Sequence, residues 1–304
     1  MRLNRLDLNL LVCLDALLIE KSVSRAAEKV FLTQSAMSSA LGRLREHFGD
    51  ELLVQVGRSM VLSPFAQTLV SSVRDAIVQM QAISARRPQF DPADSDRKIT
   101  LEASDYITTV LLPHFIERTA TSAPRMHFAL RLMEEQYADN LERGLIDVLI
   151  LPEAVACPGH PSEPLFSDTW SCVVWSGNTR VGARITLEQY LNCGHVMTEW
   201  GGGRVPAIDE TVLAALGYER RREITAPSFS LTGQLVVGTS RIATVQTRLA
   251  TFMARHWPLR VLECPVAIPP IVEVVQWHKH QDSDLGIVWM RQLLRSLGGE
   301  LTGR

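Results

Sequence analysis

The chain has 304 residues, 46% hydrophobic and 21% charged, a balance that supports a packed core and excludes a mostly disordered chain. Its 31 basic and 33 acidic side chains leave a formal net charge of −2, so any contact with nucleic acid must come from a local basic group. No apolar run approaches the roughly 18 residues of a membrane span, and Asp7 and Asp15 interrupt the apolar N-terminus, so neither a membrane partner nor an export signal is expected and the expected location is the cytoplasm.

Residues 6–63 read as short helices followed by a ribbon. Leu8, Leu11, Leu14, Leu17 and Leu18 recur at helical spacing and predict a first helix near 7–20. A second helix is predicted at about 24–31, with Ser24 as its N-cap. Thr33 caps a third helix running to about Phe48, on which Met37, Leu41, Leu44 and Phe48 form one apolar stripe. Its opposite face holds Ser35, Ser38, Ser39, Gly42 and Glu46, with Arg43 at the margin. Solvated helix faces are normally long and charged. A face of short hydroxyls around a glycine can approach a surface such as a major groove closely. Gly42 costs the helix roughly 1 kcal/mol relative to Ala, which suggests a steric reason for it. Residues 52–56 and 60–62, joined at Gly57-Arg58-Ser59, predict a hairpin, so the unit reads as a winged helix-turn-helix.

Residues 64–88 predict a linker helix. Ser63 caps it, Pro64 opens it and Pro88 stops it. Ala66, Leu69, Val73, Ala76, Met80 and Ile83 alternate in a heptad seam suited to pairing two copies. A polar hinge follows at 90–96. From there strands and helices alternate, which predicts an α/β body over 95–304 with mainly parallel sheets. Its length suggests two lobes around a cleft, lobe I at about 96–165 and 270–304 and lobe II at about 166–269, with ligand at the C-terminal ends of the strands.

Other chemistries find no support. The five cysteines are odd in number and include no CxxC, so neither a disulfide framework nor a zinc ribbon is expected. Gly201-Gly202-Gly203-Arg204 lacks the GK[ST] of a phosphate loop. His278 and His280 stand two apart, on one face if the segment is a strand, but no acidic or cysteine partner is evident, so no metal site is read. No GxSxG or HExxH occurs, and neither catalysis nor a cofactor is expected.

Several segments together resemble the head of LysR-type transcriptional regulators: Leu6-Asp-Leu-Asn-Leu-Leu, Ser22-Val-Ser-Arg-Ala-Ala-Glu-Lys-Val, Leu32-Thr-Gln-Ser-Ala-Met-Ser, Gly42-Arg-Leu-Arg, Phe48-Gly-Asp-Glu-Leu-Leu and Gly57-Arg-Ser-Met-Val-Leu-Ser-Pro. The head and the C-terminal Trp277-His278 and Trp289-Met-Arg-Gln-Leu resemble the nodulation and aromatic-catabolism branch, of naphthalene-salicylate and nitroaromatic type. The resemblance implies an α/β, periplasmic-binding-protein-like two-lobed body behind an all-α winged head and a linker helix. It implies double-stranded promoter DNA, a small aromatic effector, further copies of the chain as dimer or tetramer, and RNA polymerase as partners.

By the same resemblance Gln34, Ser35 and Ser38 would face bases and backbone, with Ser39 beside them. Thr33 and Arg43 would hold phosphates, and Arg58 would reach the backbone or minor groove from the wing. The chain departs from the family at Ser35, usually Pro, and at Gln55, often Arg. The effector would lie between the lobes, near Ser104, Asp105 and Thr108, where N–H groups and hydroxyls at a helix N-terminus suit an anion or a phenolic oxygen. Asp168, Trp200, Pro206, Phe229, Thr247 and Trp277 would line the same cleft. Without a dedicated Arg pair for a carboxylate, a phenolic or chlorinated aromatic fits better than a dicarboxylate. The expected function is activation of an aromatic or chloroaromatic degradation operon. A ligand-responsive repressor, a solute-binding protein and an enzyme with an appended DNA-binding head are the alternatives.

Overall fold

The computed structural model describes residues 7–57, 59–85, 89–199 and 208–302, and the chain forms two compact units, 1–86 and 87–304. No helix among the described residues is long and apolar enough to cross a membrane.

In the first unit α1 (Leu8–Glu20), α2 (Val23–Lys29) and α3 (Gln34–Phe48) close over a core in which Leu14, Leu17, Met37 and Leu44 are almost wholly buried. Each such side chain contributes about 1.5–3 kcal/mol by leaving water. The caps are local and polar. Asp7 accepts the N–H of Asn9, and Thr33 accepts that of Ala36. Lys21 and Gly49 close their helices in the left-handed region. The second helix begins one residue earlier than read from sequence. Ser22 is its cap rather than Ser24, because Ser22 is extended and accepts the N–H of Arg25. Strands β1 (Leu53–Val56) and β2 (Ser59–Leu62) pair antiparallel. Arg45 ties α3 to this hairpin by donating to the carbonyls of Glu51 and Leu53.

Helix α4 (Pro64–Ala85) starts at Ser63, whose hydroxyl accepts the N–H of Ala66. Its apolar seam has two uses. Ala66, Leu69 and Val73 pack into the head core, because α4 lies along α1. An ion pair between Arg74 and Asp15 (2.7 Å), both largely buried, fixes that contact. The pairing seam expected from sequence is therefore shortened to its second half, where Ile83 is 61% exposed.

The second unit has two five-stranded sheets. Lobe I holds β3 (Lys98–Ala103), α5 (Asp105–Val110), α6 (Leu112–Ser122), β4 (His127–Leu132), α7 (Tyr137–Glu142), β5 (Val148–Pro152) and β6 (Ser162–Asp168). The chain then crosses to lobe II, with β7 (Trp170–Trp175), α8 (Leu187–Asn192), β8 (Gly194–Thr198), α9 (Ile208–Ala215), β9 (Arg221–Ala226), α10 (Phe229–Val236), β10 (Ile242–Gln246), α11 (Thr247–His256) and β11 (Leu259–Glu263). It returns through β12 (Ile271–Gln276) and ends in α12 (Leu285–Thr302).

The sheet orders are β4-β3-β5-β12-β6 and β9-β8-β10-β7-β11. They match strand for strand. In each lobe the parallel βαβ strands come first, and the fourth strand is the one that has crossed over, running antiparallel to both neighbours. The sheets are thus mixed rather than mainly parallel. A strand entering from the other lobe starts at the cleft, whereas a βαβ strand ends there. Strands β6 and β9 are further corrections, since neither was read from sequence.

Candidate functional site

The exposed face of α3 is built as its sequence suggests. Met37, Ala40, Leu41 and Leu44 turn inward, which leaves Gln34, Ser35, Ser38, Ser39, Gly42 and Arg43 exposed on the other side, with Thr33 exposed at the cap. The Thr33 and Ser35 hydroxyls lie 3.1 Å apart. A Cβ added at Gly42 would meet nothing within 4 Å. The head itself therefore gives no steric reason for a glycine there. Arg58, Trp200 and Pro206 lie outside the described residues.

The cleft lies where β3, β5, β8 and β10 end and where β7 and β12 begin. Its two faces meet through α5 of lobe I, which packs on α10 and α11 of lobe II. Ser104 caps α5 by accepting the N–H of Ile107, and the Thr108 hydroxyl donates to the carbonyl of Asp105. The expected open anion site at this N-terminus is not present. It carries the carboxylate of Asp105, which reaches across and accepts the N–H groups of Phe229 and Ser230 at the start of α10 (3.2 and 2.7 Å). An acid at a helix N-terminus complements the helix dipole, so this contact holds the lobes together. The hydroxyls of Thr109 and Ser230, 3.2 Å apart, add to it.

Asp168 is the second tie between the lobes. It is 4% exposed and stands at the end of β6, where the chain leaves lobe I. Its carboxylate accepts the Tyr106 hydroxyl (2.7 Å), the N–H of Thr169 and the N–H of Arg248, and pairs with the Arg248 guanidinium (3.0 Å). Arg248 also donates to the carbonyls of Ser167 and Leu301. Burial, and then the charge of Asp168, push the Tyr106 phenol well above its ordinary range. Buried Glu273 is pushed up to about 8, first by burial and then by Asp168, so it is mostly protonated near neutrality and one charge is held here rather than two. Thr247 shares this hinge, its hydroxyl 2.8 Å from those of Thr169 and Ser171. Trp170 joins the two crossings by donating its indole N–H to the carbonyl of Pro269. Tyr106, Trp170 and Arg248 were not singled out in the sequence. Their roles come from long-range contacts that no local pattern marks.

Trp277 is not a cleft residue. Strand β12 runs antiparallel to β5, so Ile271 is at the cleft and Trp277 is at the opposite end of lobe I. It is 2% exposed, stacked under Arg291, and donates its indole N–H to Asp282. Phe229 does reach the cleft side of lobe II, beside Thr198 and Thr244. A hollow of about 540 Å³ on that lobe is walled by Met197, Leu213, Tyr218 and Arg220, among others. Arg220 supplies a buried guanidinium that the sequence reading did not find, but it is paired with Asp209 at 2.7 Å.

A small-faced helix in a winged head, joined to two hinged lobes that enclose a cleft, defines a DNA-binding protein switched by a small ligand. Residues 8–67 match the bacterial regulatory helix-turn-helix of the lysR family, and residues 93–298 match the LysR substrate binding domain. The chain belongs to the LysR family and is a ligand-responsive, DNA-binding transcriptional regulator, not an enzyme. Its relatives lie in the nodulation branch. Nodulation protein D 1 of Rhizobium tropici is 40% identical over 294 residues, covering 97% of this chain and 96% of the relative. Among solved structures, a probable transcriptional regulator from Pseudomonas aeruginosa superposes with a TM-score of 0.65 at 29% identity, over 97% of this chain and 98% of that one. CbnR, solved with its target DNA, gives 0.60 at 15% identity, over 96% and 100%, and shows the fold alone.

Proposed function

We propose that the chain activates transcription of an operon that answers a small aromatic compound, with α3 reading the promoter. In this reading Gln34, Ser35 and Ser38 meet base edges, while Thr33, Ser39 and Arg43 set the register on the backbone. Arg58 belongs to the wing contact. Two copies pair through the second half of α4 and place two heads on successive half-sites of a partly palindromic site. A dimer of such dimers, in contact with RNA polymerase, completes the activator. The relatives are named for nodulation, which gives no support to the degradation operon expected from sequence, so the reading keeps only the aromatic class of effector.

The observation that carries the DNA reading is Gly42. It weakens α3 and has open space beside it, so its use lies in a partner that comes close. Gly42→Ala is therefore expected to stabilise the head by up to about 1 kcal/mol and yet weaken operator binding several-fold. Thermal melting and fluorescence anisotropy on the same preparation read the two effects separately. A stabilised head with unchanged operator affinity would remove this support.

The effector reading rests on the cleft. Asp105 places a negative charge where the lobes meet, its carboxylate already bound to the N–H groups of Phe229 and Ser230, and Arg220 is neutralised by Asp209. A negative charge there, beside a guanidinium that is already paired, disfavours a carboxylate and favours a neutral phenol. The effector acts by binding one arrangement of the lobes more tightly than the other.

A further inference from the structure

At the end of lobe I away from the cleft, the fold assembles a cluster that no local spacing announces. Glu142 closes α7, His160 lies in the loop ahead of β6, and His278 follows β12. One donor atom from each lies within 4.8 Å of the other two. The Nε2 of His160 is 2.7 Å from Oε2 of Glu142, with the His160 side chain 3% exposed and that of Glu142 38%. His278 is fully buried, its ring centroid is 4.9 Å from that of His160, and its Nε2 has no hydrogen-bond partner. A buried N–H without an acceptor is costly, so it calls for an explanation.

The surroundings hold the cluster in place. Gln276 pins the His160 loop to β12, donating to the carbonyls of Cys157 and His160 and accepting the N–H of Cys157. The Nδ1 atoms of His160 and His278 accept the N–H groups of Lys279 (3.3 Å) and His280 (3.2 Å).

We propose that Glu142, His160 and His278 form a binding site for one divalent transition-metal ion of the zinc class. Two imidazoles and a carboxylate are a borderline-soft donor set that suits zinc, and three protein ligands leave a fourth position for water. Donor atoms around one tetrahedral zinc stand roughly 3.3 Å apart, so gaps of up to 4.8 Å must close by about 1.5 Å while the 2.7 Å contact of His160 with Glu142 opens by about 0.6 Å. On binding, each Nε2 gives up its proton and coordinates, and the proton passes to Nδ1, so both rings remain neutral. The cost is the loss of the contacts to the N–H groups of Lys279 and His280, which each new Nδ1–H then opposes as a second donor, so both rings must turn aside. The gain is a bond for the orphaned Nε2 and a cross-link between α7, the His160 loop and the segment that leads from β12 to α12.

The test uses the full chain, stripped with a chelator and titrated with zinc chloride against a chromophoric competitor. One ion per chain is expected, with a dissociation constant in the micromolar range or tighter, together with a rise in melting temperature. Glu142→Gln, at a half-exposed position that tolerates the change, should weaken binding at least tenfold and remove the melting shift. His160→Gln should do the same. X-ray absorption of the zinc-loaded protein should show nitrogen and oxygen neighbours at about 2.0–2.1 Å and no sulfur at about 2.3 Å. No stoichiometric binding, unchanged binding by Glu142→Gln, or a sulfur shell from the cysteines would each overturn the proposal.

Discussion

Asp168→Ala is expected to destabilise the two-lobed body by about 3 kcal/mol, in the range found when one partner of a buried pair is removed. The carboxylate gathers the Tyr106 hydroxyl, two backbone N–H groups and the Arg248 guanidinium at the crossing between the lobes. Its removal leaves a buried phenol without an acceptor and a guanidinium without its counter-charge. Arg248 keeps the carbonyls of Ser167 and Leu301, which holds the cost near the lower end of that range. For a body of this size the melting temperature should fall by roughly 6–12 °C. Asp168→Asn preserves an acceptor oxygen and should lose less. Equal melting of Asp168→Ala and the parent chain would show that the hinge does not depend on this residue.

Ser38→Glu should abolish specific operator binding, lowering affinity at least about 100-fold, while the head folds as before. Ser38 is exposed on α3 and makes no contribution to the core formed by Met37, Leu41 and Leu44. A carboxylate at this position adds bulk and a negative charge facing phosphates. Like charges brought together across an interface cost several kcal/mol, and a lost base contact adds about 1–3 more. Ligand binding by the body should be unaffected, since the substitution lies in the other compact unit. An operator affinity within threefold of the parent would reject α3 as the reading helix.

The head was legible in the sequence because its signals are local. Thr33, Gly49 and the Met37–Leu41–Leu44 stripe each specify their own few residues, and the structure places them as their chemistry requires. The alternation of the body was equally legible, but its edges were not. β6 contains Pro164 and β9 opens with Arg221, Arg222 and Glu223, a composition that a central strand would reject. Both are edge strands, where a proline costs no ladder bond and charges guard against aggregation. Trp277 was misplaced for a related reason. Its position depends on the direction of β12, which a single strand does not reveal. The seam of α4 was read as one surface although α1 covers its first half. The Glu142, His160 and His278 cluster joins three segments far apart in sequence, so it becomes visible only once β6 and β12 are paired.

The central claim is that this chain binds specific DNA and that a small aromatic ligand changes the complex. Its most direct test is a fluorescence-anisotropy titration of the full chain on duplexes taken from upstream of its own and neighbouring genes. The titration is run at fixed salt with excess nonspecific DNA, and repeated with a panel of phenols, chlorophenols and salicylates. Tight, competitor-resistant binding to at least one duplex and a shift of that complex by a neutral phenol are expected. Weak binding that the competitor removes completely, with no response to any ligand, would contradict it.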